Sequence, residues 1–147
     1  MDIHITYHFG LCYRAPGKLD LAAETFKTAA EETRAHNMSK SLLHALCLYK
    51  QGCIEFQAGR VVEARSFFQD SLDIREVLKT ADCERVRAMH GLARVLDQVA
   101  VTDEEKMKQV ELFSKAQAIR KNLQGDEYTP EGHIEEAYDG LVDGQFR

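Results

Sequence analysis

The chain has 147 residues, enough for one domain, with 44% hydrophobic and 29% charged residues and a formal net charge of −5. No apolar run approaches the roughly 20 residues that a membrane span requires, and the acidic balance excludes a general nucleic-acid binder, which needs a basic face. The acidity is concentrated at the end: from Asp126 to Arg147 there are seven acids and a single base.

In chain order, residues 1–9 mix Asp2, His4 and His8 into the apolar positions and do not read as a signal peptide, so a cytoplasmic location is expected. From there apolar residues recur at helical spacing almost throughout, as in Leu19, Ala22, Ala23, Phe26, Ala29 and Ala30. Breakers fall at Ala15-Pro16-Gly17, His36-Asn37, Gly59, Thr80-Ala81, Thr102-Asp103 and Gly125 to Pro130. They predict seven helices, near 3–15, 18–35, 39–58, 60–78, 82–99, 103–123 and 131–143, and no strands. Thr102 and Glu105 have the spacing of a capping box. Thr129-Pro130-Glu131 is a plausible helix start, with proline in the first turn.

The chain also repeats itself. Gly10, Gly17, Ala22 and Phe26 recur 42 residues later as Gly52, Gly59, Ala64 and Phe68, and Ala29 becomes Ser71. A looser third copy places Gly91 39 residues after Gly52, and Phe113, Ala116, Ile119 and Arg120 45 residues after Phe68, Ser71, Ile74 and Arg75. The first glycine of each set falls inside a helix, where it costs about 1 kcal/mol relative to alanine. It is tolerable where a partner helix crosses so closely that a Cβ would clash. The second closes the turn between two helices, where a left-handed backbone suits glycine.

Gly10, Tyr13, Gly17, Ala22, Phe26 and Ala29 together resemble the tetratricopeptide repeat, and Gly52 to Leu72 matches it except that Glu55 replaces the tyrosine. The third hairpin departs, with Arg94 at the tyrosine place and Gln98 at the turn glycine. The long period and Leu72-Asp73-Ile74-Arg75-Glu76 are similar to the repeats of kinesin light chains and of sensor arrays in NTPase receptors. The resemblance implies a single all-α domain over residues 1–147, a right-handed α-solenoid of about three hairpins (about 3–36, 39–78 and 82–123). An acidic helix at about 130–144 would cap the last hydrophobic face through Ile134, Ala137, Tyr138 and Leu141. The front has no comparable cap, which points to a second copy packing there or to a longer array.

In this family the ligand commonly lies in the concave groove formed by the first helix of each hairpin. Carried onto this sequence, the groove would hold Tyr7 and Arg14, then Tyr49 and Phe56, then Arg85 and Leu92. An extended or helical peptide would set its apolar side chains on the aromatic residues and an acidic group on an arginine. Tyr7 and Leu11 stand where chaperone-tail binders place a lysine and an asparagine, which sets that subclass aside.

A protein- or peptide-binding module is therefore expected. Its support is the repeat together with the lack of any phosphate loop, nucleophile elbow or metal cluster in the sequence; a self-association module and a small enzyme using the scaffold's cavity are the alternatives. His4 and His8 are one turn apart but lack a third ligand, so neither metal nor cofactor is expected. The four cysteines, Cys12, Cys47, Cys53 and Cys83, form no CxxC pair and read as buried, reduced thiols.

Overall fold

A computed structural model describes residues 18–125. Those residues form five α-helices and no strand: α1 (Leu19–Ala35), α2 (Leu42–Gln57), α3 (Val61–Leu78), α4 (Asp82–Val99) and α5 (Asp103–Gln124). The five predicted between 18 and 123 are therefore present, each within three residues of its expected ends; the predicted helices at 3–15 and 131–143 lie outside the described residues. The chain divides into two compact units, Met1–Leu78 and Lys79–Arg147. No described helix is long and apolar enough to cross a membrane.

Local chemistry sets the helix ends. Ser41 caps α2 by accepting from the His44 N–H at 3.1 Å. Thr102 and Glu105 form the expected capping box on α5, with the Thr102 hydroxyl accepting from Glu105 N–H at 3.2 Å and the Glu105 carboxylate accepting from Thr102 N–H at 3.3 Å. α2 ends at Gly59, whose φ of +77° is left-handed. There the Gly59 N–H donates to Phe56 O and the Arg60 N–H to Glu55 O, the two bonds that close a Schellman turn. α1 ends the same way on Asn37 (φ 58°), with N–H bonds from Asn37 to Arg34 O and from Met38 to Thr33 O. Past α3 the left-handed residue is Lys79 (φ 50°), 42 positions after Asn37.

The first unit is built around α2, which packs against both α1 and α3. Having neighbours on two sides, it is buried without interruption from Leu43 to Ile54. The helices flanking it are buried along one stripe each, the pattern of an amphipathic helix. On α1 the stripe is Ala22, Phe26, Ala29, Ala30 and Thr33; on α3 it is Ala64, Phe68, Ser71, Leu72 and Arg75. Each residue of the second stripe follows its counterpart by 42 positions, so the repeat seen in the sequence is a repeat of buried positions.

Small residues let the helices approach. A Cβ on Gly52 would lie 2.9 Å from two carbons of the Phe68 ring and 3.2 Å from a third, the close crossing anticipated for this glycine. The Tyr49 ring packs tilted against the same phenylalanine, 5.7 Å between centroids. Polar bonds fasten both sides of α2. The Ser71 hydroxyl donates to Ala45 O at 2.7 Å and accepts from Arg75 Nε at 3.2 Å, while Arg75 is wholly buried. On the α1 side the Thr33 hydroxyl donates to Ala30 O at 2.7 Å, so it must accept from His44 Nδ1 at 2.6 Å. That assigns the neutral imidazole the Nδ1–H tautomer.

The second unit contains α4 packed on α5. α4 is buried continuously from Val86 to Ala93, and His90 meets Phe113 of α5 edge to face at 5.9 Å. α5 buries only Leu112, Ala116 and Arg120 fully.

Candidate functional site

α5 differs from α1 and α3 along the very stripe that the repeat puts in register. Advancing Ala64, Phe68, Ser71, Leu72 and Arg75 by 45 positions gives Gln109, Phe113, Ala116, Gln117 and Arg120. Ala116 and Arg120 are buried like their counterparts, but Gln109, Phe113 and Gln117 are only half-buried. Glutamine thus stands in the two places where the earlier stripes carry alanine or leucine. An amide fits a half-open position better than a sealed one, because burying it without a bond costs several kcal/mol.

Around Phe113 the surface is concave. A depression of about 500 Å³ is lined by Asp97 from α4 and by Gln109, Val110, Phe113, Ser114 and Gln117 from α5. Val110 also belongs to an adjoining depression of about 440 Å³, which adds Met107, Lys106 and Glu111. Met107 is 74% exposed and Val110 59%, so two large apolar side chains stand in water beside the half-open phenylalanine. Single exposed apolar residues are ordinary; here Met107 and Val110 stand next to each other on one helix, beside Phe113. Met107, Val110, Ser114 and Gln117 advance by three, four and three positions, which places them on one helical face.

The electrostatics of the face are mixed. Beyond its first turn (Asp103, Glu104 and Glu105), α5 carries one acid, Glu111, against the exposed Lys106, Lys108, Lys115 and Lys121. The Lys115 ammonium bonds Glu111 at 2.6 Å and, through that bond, holds its carboxyl below the ordinary value.

Four of the six groove residues expected from the sequence lie among the described residues. Tyr7 and Arg14 lie outside the described residues. Tyr49 and Leu92 are 2% and 1% exposed, in the core, and a ligand would reach them only if that packing opened. Tyr49 is covered because α2 has a helix on each side and its ring turns toward Phe68 of α3. Phe56 is half-buried at the end of α2, and Arg85 is half-exposed and paired with Asp82. Sequence reasoning overlooked Met107, Val110, Gln109 and Gln117. The available signal was the glutamine pair standing in an otherwise small or apolar register.

Perturbed acid–base groups do not converge on this face. The Cys47 thiol is pushed up to about 12 by burial, and His44 is lowered first by burial and then by the charge of Arg34. Asp70 is raised by desolvation and then by Asp73, which borders an apolar depression with Lys40, Ile74 and Val77. Among the described residues no cluster of histidine, cysteine and carboxylate groups is arranged to hold a metal. Cys47, Cys53 and Cys83 are free thiols, the first two buried and the third half-buried; Cys12 lies outside the described residues. No protein-family model, curated protein or solved structure matches the chain.

Proposed function

We propose that this chain is a protein-binding module, an array of tetratricopeptide-type hairpins that engages a helical segment of a partner through the Met107–Val110–Phe113 face of α5. One observation carries the reading: the stripe that is buried on α1 and α3 stands half-open on α5 and runs on into exposed Met107 and Val110. A partner helix presenting apolar residues three and four positions apart would fill both depressions, and Gln109, Ser114 and Gln117 supply donors and acceptors at its edge. Fully burying a side chain such as Met, Val or Phe is worth about 1.5–3 kcal/mol. Three such anchors contribute about 5–9 kcal/mol in all, so after an association cost of several kcal/mol they fit a weak, transient contact, on the order of millimolar at best. Arg85, in the same unit as α5, is partly exposed.

The test is capture of partners from a cell extract on the immobilised chain, in parallel with Met107→Glu/Val110→Glu. Both side chains are exposed, so the double variant should keep wild-type helicity. Loss of a retained protein in the variant is the expected result. A variant that captures everything the wild type captures would move the site off α5.

A further inference from the structure

We infer that the helix docking on α5 brings a basic side chain, an arginine, whose guanidinium pairs with Asp97 of α4. This rests on the reading of α5 as a docking face and adds the chemistry that selects the partner. Three observations carry it.

The first is the wall of the depression around Phe113. Among the described residues Asp97 is its one charged member; Gln109, Ser114 and Gln117 are neutral, and Val110 and Phe113 are apolar. Arg94, one turn earlier on α4, is not part of that wall. Along α5 the depression runs from Gln109 to Gln117, a helical rise of about 12 Å. An arginine has the matching build, a methylene stem to lie over Val110 and Phe113 and a charged head to reach Asp97.

The second is that the chain does not use the Asp97 carboxylate. Asp97 is exposed and enters none of the hydrogen bonds or ion pairs among the described residues. Two lysines of α5 have acids of their own: Lys106 lies 3.7 Å from Asp103, and Lys115 lies 2.6 Å from Glu111.

The third is the helix end. Asp97 stands in the last turn of α4, where the macrodipole is negative, and that turn carries no basic residue. The N–H groups of Val101 and Thr102 bond the Glu105 carboxylate at 3.0 and 3.3 Å instead of returning to carbonyls of that turn. Asp103, Glu104 and Glu105, in the first turn of α5, answer that helix's own positive end. A purely apolar partner would take water from Asp97 and give nothing back, and an acidic one would add repulsion. A guanidinium meets the carboxylate with two parallel bonds.

Two stapled helical peptides serve as probes, each with leucines three and four positions apart. One carries an arginine a turn further on, and the other carries citrulline, its neutral isostere. They are titrated at millimolar concentrations into the isotope-labelled full chain, followed by nuclear magnetic resonance. The arginine peptide should bind about three- to tenfold tighter, with shifts centred on Asp97 and on α5 amides between 107 and 117. Asp97→Asn should erase that difference and leave the citrulline peptide's affinity unchanged, whereas Met107→Glu/Val110→Glu should weaken both peptides. Asp97→Asn should also melt no lower than the wild type, because it removes a negative charge from a negative helix end. Equal affinities of the two peptides for the wild type would overturn the inference and leave the docking face standing. So would an arginine preference that survives in Asp97→Asn. A melting temperature lowered by Asp97→Asn would mean that the carboxylate already serves the fold, and would overturn it too. Unmoved α5 amides with either peptide would remove the docking face and the arginine with it.

Discussion

Replacing Gly52 by alanine sets two effects of opposite sign against each other. By helix propensity alone, the substitution in the middle of α2 should stabilise the protein by about 1 kcal/mol. The packing says otherwise. The new methyl would meet Phe68 carbons at 2.9, 2.9 and 3.2 Å, where comfortable carbon contacts are about 3.5–4.0 Å. The ring has little room to retreat, being 3% exposed and held against Tyr49. Overpacking of this sort costs about 1–3 kcal/mol, and the rigid surroundings put it in the upper part of that range. The net expectation is destabilisation by about 1–2 kcal/mol, or a fall in Tm of about 2–8 °C for a chain of this size.

Urea titration followed by circular dichroism measures it. Gly52→Leu should abolish cooperative folding, and Phe68→Leu should relieve the alanine variant, with a coupling energy of about 1 kcal/mol in the double-mutant cycle. A Gly52→Ala protein as stable as the wild type, or more so, refutes the close crossing of α2 and α3.

Lys79 pays the penalty of a left-handed backbone with a side chain, so Lys79→Gly should raise the urea midpoint by about 0.5–1 kcal/mol of stability, whereas Gly59→Ala should lower it by a similar amount. No atom lies within 4 Å of a Cβ at Gly59, so that loss is purely conformational. Because His44 has a folded pKa below 6.5, the unfolded chain holds its proton more tightly. Its contribution is therefore complete above pH 6.5 and is lost as pH falls through the folded value. His44→Asn, which keeps a donor for Thr33, should flatten the stability profile on the acid side of pH 6.5. With its thiol at about 12 and no exposure, Cys47 should resist iodoacetamide in the folded chain while Cys83 is labelled; peptide mass mapping reads both, and early labelling of Cys47 would contradict its burial.

The helix boundaries were legible in the sequence because their causes are local. The Thr102–Glu105 box and the turn at Gly59 each involve a few neighbouring residues, and the structure places both as expected. The role of Gly52 was legible too, through recurrence: a glycine kept inside a helix, in register with a phenylalanine, signals a close approach. Which faces are covered was a different matter. Tyr49 and Leu92 have the types of groove residues, and Lys50, Arg75 and Arg87 those of surface residues, yet all five are buried. Helical periodicity says which residues share a face, but burial depends on how many neighbours a helix has, and that is settled by contacts between segments far apart in sequence. For α2, flanked on both sides, almost every position is interior, whereas α5 keeps Met107 and Val110 in water with the same helical spacing and comparable residue types.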